Sequence, residues 1–554
     1  MRLRAPAGFA GRFHDELAAR AVYSEGAGPF RIVPAAVAMP IDRNDLAVLI
    51  QWATDRGVPL TPRGAGSGIP GGNVGDGVVV DLHAFDRPLR VSLQETANVG
   101  AAVTYAGLNQ VAAHFGFRLT PDPSSGAYCT LGGMVATNAA GSRSLRAGSV
   151  RRWVRGVELV TADGEAGWLP RQHAARVHRN PTPPKLRTLV ERLAVEDRMA
   201  AVLPRIEAAR VEAAARFPDV RKNSAGYAID AFLGTGDLVD LVVGSEGTLG
   251  FVTRVELQLD RVPGAVGTLL VVLAELDGLG DVVASLEVHE PSAIELLDRS
   301  FLDLVTVTGA VVPLEGARAV LLVDFERLTD REVRAALEGA DRAVSPIALR
   351  TRAGVSPSER EALWRLRHGA SPALAALPSD RRSLQVIEDG CVPVRMLGRY
   401  LAGVRAAADD TGIPVVAFGH AGDGHLHVNA LVDTATPDLE RRLERLMDIV
   451  TNLVLELGGS PSGEHGDGRL RAGLVARLYG PVLMDVFGAI KGAFDPAGIL
   501  NPGVIVPDRV PALTRLKVGA GAAPLPDGIA NRLRQRERNA TWAVPPLTLL
   551  EGEE

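Results

Sequence analysis

Cysteine is scarce in this chain of 554 residues, which contains only Cys129 and Cys391. Two thiols are too few for a disulfide framework or for the four thiolates that usually hold an iron–sulfur cluster. Any iron–sulfur relay would therefore lie on another polypeptide. An excess of basic residues is also missing, because the net charge is -5 and no basic stripe is present. This charge balance argues against nucleic acid as a partner.

The sequence also shows no pattern typical of a targeting or membrane-spanning segment. The N-terminal residues 1–20 contain no apolar stretch typical of a signal peptide, and no uninterrupted apolar run reaches the length of a membrane span. We therefore expect a cytoplasmic protein, with peripheral docking at a membrane through an electron acceptor left open. The length and the 46% of hydrophobic residues favour several folded domains. A homo-oligomer is also left open.

Two short glycine-rich segments bring several metal-ligating residue types into the sequence. The first, Gly419 to Asn429, supplies His420 and His427 around a bend, and the second supplies Glu464 followed directly by His465. Two histidines and a glutamate can bind a divalent metal and leave a coordination position open for substrate. Zinc fits these ligands, and manganese, iron or cobalt could occupy the same ones. The pattern predicts an enzyme whose substrate can chelate a metal.

The strand expected after the bend places its polar side chains on one face. Because side chains alternate along a strand, His425, His427 and Asn429 share a face, and we expect that face to line a cleft. His425 is interpreted either as a hydrogen-bonding wall residue or as a contact to a polar substrate tail. Asp423 is a candidate for orienting a ligand histidine.

Three glycine-rich stretches lie upstream of this metal site. The first, Arg63 to Gly77, contains a GxGxxG spacing, but Pro70 interrupts it and the apolar run Val78 to Leu82 predicts a strand rather than a helix. This context excludes a Rossmann dinucleotide site. The others, Thr130 to Ser149 and Val242 to Leu259, are also rich in small residues. Bare backbone of this kind suits a large flat ligand or a phosphate, the alternative being a turn cluster in a core.

The middle of the chain has a different pattern. Residues 268–415 alternate apolar runs with charged helical stretches, which predicts an α+β domain with an antiparallel sheet. We place a domain boundary in residues 261–267, where the glycine-rich character stops. Asp438 to Leu457 is predicted to be an amphipathic helix that ends at Gly458 and Gly459.

Eight segments, in this order, resemble the FAD-linked oxidase superfamily, and in particular its branch of D-lactate, glycolate and D-2-hydroxyglutarate dehydrogenases. The resemblance runs from about Tyr23 to Val506. The segments are PRGAGSGIPGG, PDPSSGAYCTLGGMVATNAAG, GSEGTLGFVT, LWRLRHG, IEDGCVP, GHAGDGHLH, SGEHGDG and FDPAGILNPG.

The resemblance implies an α+β fold with a two-part FAD-binding domain of the vanillyl-alcohol-oxidase type and an antiparallel-sheet cap. The implied domains are a FAD-binding domain at 1–262, a cap or substrate domain at 263–457, a C-terminal helical segment at 458–506 that completes the active site, and a tail at 507–554. We assign no function to the tail.

The resemblance also implies which residues contact FAD. No histidine occurs between Arg63 and Gly72, so we expect noncovalent binding. The implied contacts are Arg63, Gly64, Ala65, Gly66, Ser67, Gly68, Asp122, Ser125, Thr130, Gly132, Gly133, Asn138, Gly141, Glu246, Gly247, Gly250, Val252 and Asn501.

The activity implied is oxidation of a 2-hydroxy acid to the 2-oxo acid, with electrons passed to an external acceptor. That acceptor would be a quinone, a cytochrome, an electron-transfer flavoprotein or a separate iron–sulfur protein. His420, His427 and Glu464 would bind the metal. Among the catalytic residues, His465 would be the general base, Arg367 would bind the substrate carboxylate, and Asn429 would add a hydrogen bond.

This chain departs from the family pattern at one site residue. The family motif HxGDGNLH has asparagine where this chain has His425. IEDGCVP and GEHGDGR look most similar to a longer branch that carries an iron–sulfur domain, which the two cysteines cannot supply. Two other functions stay open: a non-redox enzyme similar to alkylglycerone-phosphate synthase, and a flavin subunit of an iron–sulfur complex.

Overall fold

The structure is a computed structural model that describes residues 3–171, 194–305, 313–369, 373–374, 377–378, 380–519 and 521–550. Strands and helices are numbered below in chain order within these residues. Three parts follow one another: an N-terminal half with the glycine-rich loops, a cap built on one large sheet, and a C-terminal part that returns to both.

The N-terminal half contains eleven described strands and nine described helices. The strands are β1 (Arg12–His14), β2 (Ala36–Met39), β3 (Leu60–Arg63), β4 (Val78–Asp81), β5 (Leu89–Ser92), β6 (Thr96–Gly100), β7 (Phe117–Arg118), β8 (Val154–Val160), β9 (Ala166–Pro170), β10 (Phe251–Gln258) and β11 (Asp260–Arg261). The helices are α1 (Leu17–Val22), α2 (Arg43–Thr54), α3 (Tyr105–Ala113), α4 (Leu131–Thr137), α5 (Ser144–Ala147), α6 (Ala194–Ala208), α7 (Arg210–Arg216), α8 (Ile229–Thr235) and α9 (Val239–Val242).

Two sheets organise this half. The first has the order β1-β2-β4-β3, in which β2 and β3 both run parallel to β4. The second has the order β5-β6-β10-β8-β9 and is antiparallel. The first glycine-rich loop joins β3 to β4, so it leads from strand to strand as the sequence predicts. Val78, Val79 and Val80 are fully buried in β4, as expected for a strand covered on both faces.

The cap contains the largest sheet of the structure. Its strands are β12 (Ala265–Leu273), β13 (Ala293–Asp298), β14 (Ala319–Arg327), β15 (Ala348–Gly354), β16 (Arg381–Leu384), β17 (Gly390–Cys391), β18 (Val415–His420) and β19 (His425–Asp433). Its helices are α10 (Leu279–Glu287), α11 (Arg299–Leu304), α12 (Asp330–Val344), α13 (Pro357–His368), α14 (Leu397–Thr411) and α15 (Leu439–Glu456).

Every strand pair in the cap sheet is antiparallel. The order is β15-β12-β14-β13-β18-β19-β16, and β17 pairs with β19 beside this path. The antiparallel cap predicted from the sequence is therefore confirmed, and β12 begins within the predicted boundary. Helix α13 starts with a capping box between Ser356 and Glu359 and with Pro357 in its first turn. This start places Arg367 in the last turn, against the sheet.

The C-terminal part contains α16 (Gly468–Phe494) and α17 (Ile529–Arg538). Helix α16 is the one described helix that is long and apolar enough to cross a membrane, with a mean hydropathy of 1.4. Its backbone leaves helical geometry at Gly480, just before Pro481, and Tyr479, Phe487 and Phe494 are buried in the core of the N-terminal half. Helix α16 therefore packs as a core helix.

The tail beyond residue 506 packs against the cap and against the N-terminal half. Leu513 and Leu516 are buried in the core of the cap. Ile529 and Leu533 of α17 are buried with Tyr23 and neighbouring residues of the first sheet. The tail therefore packs against both the cap and the N-terminal half. The weak periodicity of its sequence did not indicate this packing.

Candidate active site

A cavity of about 580 Å³ lies between the glycine-rich loops and the cap sheet. One wall is formed by the backbone of the three glycine-rich stretches. The opposite wall carries polar side chains of the cap and of the loop before α16. The polar residues on that wall are Arg367, Arg381, Arg382, Ser383, Gln385, Glu388, His427, Asn429, Glu464 and His465.

Most of the residues predicted to contact FAD lie on the glycine-rich wall. They are Arg63, Gly64, Ala65, Gly66, Ser67, Gly68, Ser125, Thr130, Gly132, Gly133, Glu246, Gly247, Gly250 and Val252. A Cβ on Gly64 would lie 2.4 Å from Oγ1 of Thr130, and one on Gly247 would lie 2.2 Å from Cγ of Pro62. Glycine at these two positions therefore lets the loop backbone pack tightly against the side chains of Thr130 and Pro62.

Three other predicted contacts lie outside the lining of this cavity. Asp122 forms an ion pair with Arg143. Asn138 ends α4 in the left-handed conformation, with φ +52. The carbonyl of Gly141 accepts a hydrogen bond from Nζ of Lys222 at 3.3 Å. Each has a structural partner within the protein, and contact with FAD stays a prediction for all three.

Asn501, the fourth such residue, fastens the C-terminal turn to the glycine-rich wall. Its Nδ2 donates to the carbonyl oxygens of Gly72 and Glu246, both at 2.8 Å, and its Oδ1 accepts from Arg469 at 3.1 Å. Asn501 has φ +44 and is fully buried. It positions the loops, while its predicted contact with the flavin ring stays a prediction.

The antiparallel pair β18 and β19 brings the predicted metal ligands together. A tight bend with Gly424 at φ +70 joins the two strands. Nε2 of His420 lies 3.3 Å from Nε2 of His427, and Oε1 of Glu464 lies 3.2 Å and 3.5 Å from these two nitrogens. His420, His425, His427 and Glu464 each offer a ligand atom within 4.8 Å of the others, and all four are buried.

Glu295 on β13 orients His420 from behind. Its Oε1 lies 2.5 Å from Nδ1 of His420, and its Oε2 accepts from Nε of Arg367 at 2.9 Å. Burial alone would raise the pKa of Glu295, but His420 and Arg367 lower it to about 2. The carboxylate therefore stays charged and leaves Nε2 of His420 for a metal, an arrangement common in metal sites.

Lys222 holds Glu464 from the other side. Nζ of Lys222 donates to Oε2 of Glu464 at 2.7 Å, and both side chains are almost completely buried. Burial works to raise the pKa of Glu464, but Lys222 and His420 hold it well below its usual range. Because Oε2 is occupied, Oε1 is the oxygen that faces the histidines.

His425 has one satisfied ring nitrogen and one without a partner. Its Nε2 donates to Oδ1 of Asp389 at 2.9 Å, and its side chain is 0% exposed. Its Nδ1 is buried and has no hydrogen-bond partner among the described residues. His425 is absent from the lining of the cavity, so it does not contact the cavity as a wall residue would.

His465 lies on the cavity wall, and its Nε2 is 3.5 Å from Oε1 of the predicted metal ligand Glu464. Its Nδ1 is 2.7 Å from Oε2 of Glu388, and its backbone amide donates to Asp389 at 3.1 Å. Burial alone would lower the pKa of His465, but these two carboxylates raise it to about 9. A divalent cation bound to Glu464 would lower this pKa again by like-charge repulsion. Arg471 binds both carboxylates and fixes the loop.

Arg367 and Asn429 line the same cavity as His465. The guanidinium of Arg367 lies 4.8 Å from the ring centre of Phe418, and Glu295 holds its Nε, which leaves its terminal nitrogens for a ligand. Oδ1 of Asn429 accepts from Oγ of Ser383 at 3.2 Å, which leaves its Nδ2 for a ligand. The structure thus brings all three predicted catalytic residues to one wall.

The side chains fit the two groups that the sequence implies. Buried imidazole and carboxylate donors suit a divalent transition metal. The groove suits a flavin with its phosphates because its lining is largely the bare backbone of glycine-rich loops, whose amides can approach such a ligand closely.

Several residues of the site were not predicted from the sequence. Glu388 and Asp389 belong to the segment IEDGCVP, where a pair of adjacent acids before a glycine is a signal that could have identified them. Lys222, Glu295 and Arg471 have no local motif. They reach the site through contacts between residues far apart in the chain.

The tail also contributes to the cavity, at its entrance. Lys517, Arg534, Glu537, Arg538 and Trp542 line it beside the cap, whose Arg382 forms an ion pair with Glu537. Nζ of Lys517 binds Oε1 of Glu537 at 3.0 Å. Cations outnumber acids in this group, so the entrance favours negatively charged ligands.

Two family comparisons match successive parts of the chain. Residues 34–169 match the family described as "FAD binding domain", and residues 262–505 match "FAD linked oxidases, C-terminal domain". The chain belongs to the FAD-linked oxidase family. This FAD-linked oxidase is thus an oxidoreductase, and the family predicted from the eight segments is confirmed.

Curated relatives of this FAD-linked oxidase share a little over a quarter of its residues. "Glycolate oxidase subunit GlcD" of Bacillus subtilis is 29% identical over 89% of this chain and 93% of its own. "D-lactate dehydrogenase" of Anaerostipes hadrus is 28% identical over 89% and 92%. "D-2-hydroxyglutarate dehydrogenase" of Escherichia coli is 28% identical over 93% of this chain, which spans 52% of that relative's length.

Solved structures confirm the vanillyl-alcohol-oxidase type of fold. A 4-ethylphenol oxidase from Gulosibacter chungangensis superposes with a TM-score of 0.61 at 16% identity, covering 90% of this chain and 95% of its own. An alkyldihydroxyacetonephosphate synthase superposes with a TM-score of 0.59 at 17% identity, covering 88% and 83%. Identities this low show a common fold and leave the reaction to be argued from the site.

Proposed function

We propose that this FAD-linked oxidase oxidises a D-2-hydroxy acid to the 2-oxo acid and passes the electrons to an external acceptor. A divalent metal bound by His420, His427 and Glu464 assists the reaction. The substrate belongs to the class of D-lactate, glycolate and D-2-hydroxyglutarate, on which the named relatives act. The supporting observation is that Arg367, His465 and two of the proposed metal ligands, His427 and Glu464, line the same cavity as the glycine-rich loops. The third proposed ligand, His420, lies directly behind this lining, with its Nε2 3.3 Å from His427 and 3.2 Å from Glu464.

Each polar residue has one task in this proposal. Bound FAD would supply the hydride acceptor and the metal would supply Lewis acidity at the substrate oxygens. Arg367 binds the substrate carboxylate through its terminal nitrogens, since Glu295 occupies Nε. His465 accepts the hydroxyl proton at Nε2, since Glu388 faces Nδ1. Asn429 donates a hydrogen bond from Nδ2.

Anaerobic flavin reduction tests the proposed activity. We expect D-lactate, glycolate or D-2-hydroxyglutarate to bleach the visible flavin absorbance of the purified protein, and L-lactate, the matched control, to bleach it much more slowly. Bound metal is measured in the same sample by elemental analysis. If no 2-hydroxy acid reduces the flavin while ligands still bind, the proposed function is wrong. A non-redox reaction on the same fold would then be favoured.

The contact between Glu295 and His420 leads to a prediction for the metal affinity of the site. Replacing Glu295 by glutamine removes the charge that orients His420 and stabilises it as a ligand. We expect metal affinity to fall by roughly 10-fold to 100-fold, the usual effect of losing a carboxylate behind a ligand histidine. Calorimetric titration of the metal-depleted protein measures this change.

The matched control for this prediction is Asp324→Asn. Asp324 is a buried carboxylate on the neighbouring strand β14, and it binds Thr268 and Trp364 rather than a ligand histidine. Metal affinity should be unchanged in this variant. Equal losses of affinity in both variants would mean that Glu295 acts only through general stability.

A further inference from the structure

We infer that Nδ1 of His425 is a fourth protein ligand of the metal, beside His420, His427 and Glu464. This inference rests on the proposed function, because that proposal includes the bound metal. The four side chains offer ligand atoms within 4.8 Å of one another, and all four are buried. Three imidazoles and one carboxylate would then hold the ion.

The hydrogen-bonding state of His425 identifies the nitrogen. Asp389 accepts from Nε2 of His425, and it also accepts from Arg471 and from the backbone amides of Glu464 and His465. A carboxylate that only accepts requires the hydrogen of His425 to lie on Nε2. Nδ1 therefore carries the lone pair, which is the form that binds metal.

The unpaired Nδ1 of His425 indicates that a ligand binds there. Buried ring nitrogens in proteins almost always have a hydrogen-bond partner, and leaving one unpaired costs free energy. Among the described residues, Nδ1 of His425 has none, and the residue is 0% exposed. A metal ion at the centre of the four side chains satisfies this nitrogen.

The same design appears twice in this site. His420 is oriented by Glu295 at one ring nitrogen and presents the other to the cluster. His425 is oriented by Asp389 in the same way. Their rings are stacked with centres 5.4 Å apart and an interplanar angle of 27°. A carboxylate behind each imidazole is the usual support of a ligand histidine.

A fourth protein ligand changes which metals suit the site. A four-coordinate zinc ion would be filled by four side chains, with no position left for substrate. A six-coordinate ion keeps two positions, the number that the hydroxyl and carboxylate oxygens of a 2-hydroxy acid need. The site therefore favours a six-coordinate ion such as Mn²⁺, Fe²⁺ or Co²⁺ over zinc.

Metal-depleted, flavin-bound protein titrated with Co²⁺ tests this inference. X-ray absorption at the cobalt edge should count three imidazoles in the unmodified protein and two in His425→Asn, which carries the residue of the family motif. The dissociation constant measured by calorimetry should rise by more than the roughly 10-fold to 100-fold typical of residues behind a ligand. The control His465→Asn, the same change at a neighbouring imidazole, should keep three imidazoles and the original affinity.

Each other outcome has a definite meaning. If the unmodified protein binds Co²⁺ with two imidazoles and His425→Asn is unchanged, this inference is overturned while the proposed function stands. Loss of an imidazole in His465→Asn alone would place the ion among Glu388, His427 and His465 instead, and would also overturn it. If the unmodified protein binds no metal, the metal in the proposed function fails as well. Should His425→Asn not fold, the imidazole count of the unmodified protein decides alone.

Discussion

Replacing Glu464 by glutamine is expected to abolish tight metal binding and to slow flavin reduction by roughly a thousand-fold. The variant loses the one carboxylate among the ligands. Lewis-acid assistance contributes several kcal/mol to such reactions, and each 1.36 kcal/mol corresponds to about tenfold in rate. Stopped-flow measurement of anaerobic flavin bleaching gives the rate, and elemental analysis gives the metal content.

The ion pair between Lys222 and Glu464 affects the stability of the Glu464→Gln variant. The same pair also provides a control. Glutamine at residue 464 would leave the buried ammonium of Lys222 without its closest anion, and breaking a buried ion pair is strongly destabilising. The double variant Glu464→Gln, Lys222→Met removes both charges and should recover stability without recovering the reduction rate. A double variant that regained the rate would show that Glu464 acts through stability rather than through the metal.

His465→Ala is expected to slow flavin reduction by roughly 10²-fold to 10⁴-fold, the usual contribution of a general base. Metal content and flavin content should be unchanged, because His465 is not among the proposed ligands. The stopped-flow assay is the same as for Glu464. Imidazole added to the buffer should restore part of the rate, since His465 lines the cavity and removal of its ring leaves space there.

That rescue separates a catalytic role of His465 from a structural one. His465 also fixes its loop through its backbone amide, which alanine retains. A variant that reduced its flavin at the normal rate would exclude His465 as the base. A slow variant that also lost its metal would indicate that the loop, and with it Glu464, had moved.

The histidines of the candidate metal cluster could be predicted together because their geometry is local. The alternation of His425, His427 and Asn429 follows from strand geometry, and the bend that returns the chain towards His420 follows from its glycines. What could not be predicted is the surrounding shell. Glu295 lies 125 residues from His420, and such a contact depends on the strand order of the cap, which periodicity does not contain.

His425 is a single residue whose contacts could not be predicted from the sequence pattern. Its position on the polar face was predicted, but the two interpretations offered for it, a wall residue or a substrate contact, both assumed that it reaches the cavity. The structure buries it beside His427 and binds it to Asp389, a residue of another loop. Which way a histidine is oriented depends on partners that the sequence pattern does not name.

The tail has a consequence for transferring knowledge between relatives. The family match ends at residue 505, whereas Lys517, Arg534, Arg538 and Trp542 line the entrance of the cavity. The chemistry and the entrance are therefore encoded in separate stretches of chain, which can change independently in evolution. Two members with the same metal ligands can therefore admit acids of different size and charge. Because Leu513 and Leu516 are also buried in the core of the cap, a change of the tail acts on packing as well as on the entrance.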